Sequence, residues 1–191
     1  GAAMGGRAFS SDPAVAARAA KAAVEGWRAG GVAATAKHFP GLGGTTVNTD
    51  RGSTSIANAP TDADLAPFKA AIAADVPLIM SSNARYPRLD RNRIAAQSRK
   101  VLDGLLRKQL GFKGVVITDS IEAAAVRATG ETEQIAIRSV RAGNDIVLTT
   151  GQQSWLRAYR ALLAEARASK SFRERVRTSA ARVLELQSKL D

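Results

Sequence analysis

Five side chains in this sequence are of the types that do chemistry or grip a polar ligand: Arg7 in GGRAFSSDP, Lys37 and His38 in TAKHFPGLGG, Asp50 in VNTD and Asp119 in GVVITDS. His38 is the only histidine among 191 residues. It follows a lysine and precedes Phe39-Pro40, where a short apolar run gives way to closely spaced glycines. A fixed positive charge and a ring able to donate or accept then meet at one turn, an arrangement that can grip hydroxyl groups. The competing reading is a histidine that only satisfies the turn after it. Asp119 follows the dense apolar run GVVI, a setting that disfavours aspartate. It reads either as the cap of a helix in SIEAAAV or as a carboxylate nucleophile or base at a strand mouth. Asp50 lies in a loop, where aspartates commonly satisfy backbone amides, and Thr45, Thr46 and Asn48 suit the same work. By position alone Arg7 reads as a solvated arginine near a terminus.

The elements that must position these groups follow from caps and period. Asp12-Pro13 opens a helix that runs to Trp27 and is closed by Gly30-Gly31. VAATA is a short apolar run, and Gly41 to Pro60 has no helical period and reads as a long loop. Thr61 caps TDADLAPFKAAIAA, with Leu65, Phe68 and Ile72 at helical spacing. VPLIMSS is a second apolar run, Ser98 to Leu110 a further helix closed by Gly111, and GVVITDS a third run. EQIAIRSVRAG is a short helix, NDIVLTT a fourth run, and two helices follow from Ser154, the last with Phe172, Val176, Ala180, Val183 and Leu184 on one face. Four apolar runs separated by helical pattern predict an α/β fold of parallel strands with crossover helices. In such folds chemistry gathers at the carboxyl ends of strands, where Lys37-His38, Ser81-Ser82-Asn83, Thr118-Asp119-Ser120 and Thr149-Thr150 fall.

Composition narrows the partners. With 45% hydrophobic and 24% charged residues, the chain reads as one globular domain over residues 1–191. The absence of cysteine excludes disulfides and thiolate metal sites, and no metal is expected. No run reaches the roughly 18 apolar residues of a membrane span, and GAAMGGRAFSSDP lacks the regions of a signal peptide. The net charge of +11 raises nucleic acid as a partner. The arginines are spread singly, however (Arg138, Arg141, Arg157, Arg160, Arg167, Arg173, Arg175, Arg177, Arg182), and aromatics are 5%. Solvated helix faces are the expectation, and no nucleic-acid partner.

KHFPGLG, GGRAFSSDP, DLAPFKAAI, LLRKQLGFKGVVITDSIEAAAV, RAGNDIVL and RVLELQSKL together resemble glycoside hydrolase family 3, specifically its bacterial β-N-acetylhexosaminidases. The resemblance runs through nearly the whole chain. It implies a TIM-like (β/α) barrel that hydrolyses a terminal β-linked N-acetylhexosamine with retention, without metal or organic cofactor. It makes Asp119 the nucleophile that forms a glycosyl-enzyme intermediate, Lys37 and His38 the pair that holds sugar hydroxyls, and Arg7 a residue lining the sugar site.

Two departures from the family matter. Its hexosaminidase branch ends the loop after KHFPG in D-S-H, whose histidine is the acid/base; here Asn48-Thr49-Asp50 stand there. Asp50 takes that position, and would serve as acid/base provided burial raises its pKa. The expectation is weak hydrolysis of substrates with good leaving groups. The alternative is a carbohydrate-binding pseudoenzyme in which Arg7, Lys37 and His38 still hold sugar. NARYP also replaces a histidine-bearing strand end. The second departure is length, since such a barrel has eight strands and about 250 residues. The chain is expected to be the carboxyl-terminal portion of the barrel, with about four strands and the front half missing. It would associate with itself or with a segment supplying the remaining strands. Amino-sugar substrates such as cell-wall fragments lean the compartment toward the cell envelope or exterior.

Overall fold

The computed structural model of the chain describes residues 4–190, and at its centre lies a parallel sheet of β1 (Thr35–Phe39), β2 (Leu78–Ser81) and β3 (Val115–Thr118) in that order. The register pairs Phe39 with Ser81 and Ser81 with Thr118, so the three carboxyl ends stand level at one rim. Isoleucine and valine side chains on the central and last strands are shut from solvent (Ile79 0%, Val116 0%), which is why these runs carry no polar alternation.

Around the sheet run α1 (Pro13–Ala29), α2 (Asp62–Ala73), a helix over Lys100–Gln109, α3 (Ala124–Arg127), α4 (Thr132–Ala142), α5 (Ser154–Ala168) and α6 (Lys170–Gln187). The expected caps are in place. Asp12 accepts from the Ala14 and Val15 amides at 2.7 and 3.1 Å, with Pro13 opening the helix. Thr61 and Asp64 close a reciprocal capping box. Gly143 ends α4 at φ 129°, a conformation that a side chain would strain. The helix over Lys100–Gln109 winds as a π-helix, and Leu110 N bonds Leu105 O at 3.0 Å. It still buries Val101, Leu102, Leu105 and Leu106 on one face.

The fourth apolar run is not a strand of the sheet. NDIVLTT lies parallel beside β3 but makes only one bridge, Ile117 to Ile146, because side chains take the places of the backbone ladder. Thr118 Oγ1 accepts from Leu148 N at 2.9 Å, and Asp145 Oδ2 accepts from Val116 N at 3.0 Å. Among the described residues the expected four strands are therefore three.

Asp145 also corrects the picture of the arginines as solvated. Its side chain is 0% exposed, and three guanidiniums converge on it. Arg107 Nη2 donates to Oδ2 at 2.7 Å, while Arg175 Nη2 and Arg182 Nη1 donate to Oδ1 at 2.8 and 3.0 Å. Burial pushes the Arg107 guanidinium below its ordinary pKa, while Asp145 pulls the other way. Arg175 and Arg182 thereby tie α6 to the sheet and Arg107 ties the Lys100–Gln109 helix to it, with Ser179 Oγ adding a bond to Oδ1 at 2.9 Å. Arg141, Arg157 and Arg177 do lie on exposed faces, paired with Glu165, Glu133 and Glu174. None of the described helices is long and apolar enough to cross a membrane.

Candidate active site

In a regular strand Lys37 and His38 would point to opposite faces. Here the pairing skips from Lys37–Met80 to Phe39–Ser81, leaving His38 as an extra, unpaired residue. This irregularity lets both side chains line one cavity at the rim. The Tyr86 hydroxyl donates to the Gly41 carbonyl, holding the turn after Phe39-Pro40, and Phe68 packs edge-on against Phe39 with ring centroids 5.2 Å apart.

That cavity, about 60 Å³, brings together all five singled-out residues, Arg7, Lys37, His38, Asp50 and Asp119, with Leu42, Asn48 and Thr49. It shares Arg7, Asn48 and Asp50 with a wider cavity of about 570 Å³. The wider space is within the range that takes small ligands. His38 Nε2 stands 3.5 Å from Asp119 Oδ2, with side-chain exposures of 5% and 17%. Asp119 caps no helix: α3 begins only at Ala124, and Asp119 Oδ1 accepts instead from the next amide, Ser120 N, at 2.8 Å. Its other oxygen is left for the cavity and His38.

Burial lowers the pKa of His38, against the pull of Asp119; Lys37 and Arg7 lower it further and Asp50 raises it. The balance of these effects favours the neutral ring. Its buried Nδ1 has no hydrogen-bond partner among the described residues, so placing the proton on Nε2, on the side of Asp119, avoids a buried, unpaired N–H at Nδ1. A depressed histidine pKa carries a sign for stability. The unfolded chain takes up the proton first, so the contribution is complete above about pH 6.5 and is lost as the pH falls toward the lower folded value. The urea midpoint is expected to fall between about pH 7.5 and 5.5, and His38→Gln should flatten that fall. An equal fall in His38→Gln would assign it elsewhere.

The loop from Gly41 to Pro60 carries Asp50 and is pinned at several points. Ser55 bridges Arg85, and Thr45 Oγ1 lies 2.5 Å from Thr54 Oγ1. The Asp50 and Thr49 carbonyls accept from Ala124 N and Ala125 N at 3.3 and 3.1 Å, which ties the loop to the segment after β3. Asn48 Oδ1 accepts from Asp50 N at 2.9 Å, the turn-satisfying role expected of such residues. The Asp50 side chain itself is exposed, so the burial set as the condition for its acid role is absent. Arg7 and Lys37 are exposed as well, and bring positive charge to the cavity mouth beside two carboxylates. Thr49 and Leu42, buried in the cavity wall, and Tyr86 beneath it were not singled out from sequence; the one available signal was their place inside KHFPGLGGTTVNTD and NARYP.

The structure is thus a parallel α/β sheet with a carboxylate, an imidazole and two cations gathered at its carboxyl rim, the end of such sheets where ligand sites form. Residues 1–186 match the Glycosyl hydrolase family 3 N terminal domain, and the chain belongs to that family. It is 39% identical over 150 residues to a beta-hexosaminidase of Stenotrophomonas maltophilia, covering 76% of this chain and 44% of that protein. It is 37% identical over 154 residues to an uncharacterized secreted glycosyl hydrolase of Arthroderma benhamiae, covering 78% and 44%. Among solved structures, a family 3 beta-N-acetylglucosaminidase from a Paenibacillus species superposes with TM-score 0.90 at 33% identity, over 98% of this chain and 37% of that one. The chain thus spans less than half the length of these relatives.

Proposed function

We propose that the chain is the carboxyl-terminal portion of a TIM-like (β/α) barrel and supplies the reacting carboxylate of a retaining glycoside hydrolase. Its substrate would be a terminal β-linked N-acetylhexosamine or a related β-glycoside. Asp119 attacks the anomeric carbon as the bond to the glycosidic oxygen breaks and the aglycone departs, taking up a proton; the resulting glycosyl-enzyme ester is then hydrolysed by water, which frees the sugar and the carboxylate. Lys37, His38 and Arg7 hold the sugar. The observation that carries this reading is the convergence of those four side chains with Asp50 on one cavity, with Asp119 Oδ2 turned to His38. No metal or cofactor enters the step. Asp50 stands where it could protonate the leaving oxygen, but its exposed setting favours substrates that need little protonation.

The expected result is measurable turnover of aryl N-acetyl-β-glucosaminides and much weaker turnover of natural disaccharides. Equal rates on both would reject the impaired-acid reading. A fluorinated sugar inactivator should leave its label on Asp119, and a label elsewhere would reject the nucleophile assignment. The exposed Asp50 also supports a second reading, a sugar-binding protein without turnover, and binding of N-acetylglucosamine with no hydrolysis even of aryl glycosides would select it.

The partner that completes the fold is proposed to be a second copy or a segment carrying the remaining strands. Supporting this, large apolar side chains stand exposed at Trp27 (56%) on α1, Val32 (50%) ahead of β1, and Trp155 (60%) and Tyr159 (57%) on α5. A site outside the cytoplasm, in the envelope or beyond it, suits a chain related to a secreted glycosyl hydrolase.

A further inference from the structure

Ser120, the residue after Asp119, uses every polar group it has. Its N–H donates to Asp119 Oδ1 at 2.8 Å, and its carbonyl accepts from Asn83 Nδ2 at 3.3 Å at the end of β2. Its hydroxyl donates to Glu122 Oε2 at 2.8 Å and lies 2.9 Å from Thr150 Oγ1. Glu122 Oε2 in turn accepts from Thr150 N and Thr150 Oγ1 at 3.0 and 3.2 Å. Gly151 closes over this carboxylate, since a Cβ there would come within 3.0 Å of Glu122 Cγ. Burial acts to raise the Glu122 pKa, yet the bonds from Thr150 N and Ser120 hold it below the usual carboxylate value, so the acceptor is ionised. Glu122 therefore fastens the corner after β3 to the end of the 144–150 run, which the sheet itself holds by one bridge.

The Asp119 carboxylate depends on that corner. Among the described residues its hydrogen bond comes from Ser120 N, so its direction follows the peptide plane between residues 119 and 120. Whatever fixes Ser120 fixes where Oδ2 points. We propose that Glu122 is a positioning residue for Asp119, acting through Ser120 to keep Oδ2 facing His38 and the cavity. The inference builds on the assignment of Asp119 as nucleophile, but it concerns a geometry that can be read without turnover.

The lone histidine supplies the readout. The ¹⁵N signals of His38 titrate with the charge 3.5 Å away, whereas Lys37, Arg7 and Asp50, the other charges that face the ring, stay the same in every variant. In the full chain, Asp119→Asn should move the His38 midpoint to lower pH. Glu122→Ala and Ser120→Ala should each move it the same way, by about half as much, and neither should add to the shift in the Asp119→Asn background. If Glu122→Ala does not fold, Glu122→Gln serves in its place, with a smaller shift of the same sign. An unmoved midpoint in a folded Glu122 variant would overturn the proposal. So would a shift of undiminished size in the Asp119→Asn background, which would reveal a direct field and no positioning. Failure of the nucleophile assignment would show separately, as a fluorinated-sugar label on another residue.

Discussion

Replacing Asp119 by alanine should cut turnover of an aryl N-acetyl-β-glucosaminide by roughly 10⁴-fold or more while leaving sugar binding largely in place. The two effects separate because Lys37, His38 and Arg7 line the cavity independently of the lost carboxylate. The substitution also opens space at the anomeric position, so azide should restore part of the rate and give a glycosyl azide of inverted configuration. Steady-state rates with and without azide, together with the configuration of the product, make the measurement. A variant within tenfold of the parent would remove Asp119 from the reaction.

The largest loss of stability is expected at Asp145, which lies outside the cavity lining. Asp145→Ala should cost about 3–5 kcal/mol, because three guanidiniums then face one another with no anion between them and Val116 N loses its acceptor. Arg107 is the costliest of the three to strand, at 13% exposure; Arg175 and Arg182, at 21% and 28%, can swing partly into water. Asp145→Asn keeps an oxygen for one donor but not the charge, and should fall between the parent and alanine. Urea midpoints at constant m would measure the series, and a loss under about 1 kcal/mol in Asp145→Ala would show that the cluster is not integral to the fold.

The contrast between these two sites shows what a single sequence discloses. Asp12, Thr61 and the spacing of Leu65 and Phe68 could be read because caps and periods are local, and they hold in the structure; on α6 the expected face fails in part, since Phe172 and Ser179 are buried while Ala180 and Leu184 are exposed. β2 and β3 were legible as apolar runs, whereas β1 shares only Thr35 and Ala36 with VAATA and takes in Lys37 and His38 themselves. The fourth run failed because Thr118 Oγ1 and Asp145 Oδ2 occupy ladder positions, a competition between elements that no local pattern records. Arg175 and Arg182 look like any surface arginine until α6 docks and points them at Asp145. The irregular pairing at His38 is equally silent in sequence, though without it Lys37 and His38 would not share a cavity.

The backbone around position 50 is held by the Asn48 side chain and by the Ala124 and Ala125 amides, none of which touches the side chain that position carries. Position 50 is therefore an interchangeable socket: the side chain mounted there can be exchanged without disturbing the frame.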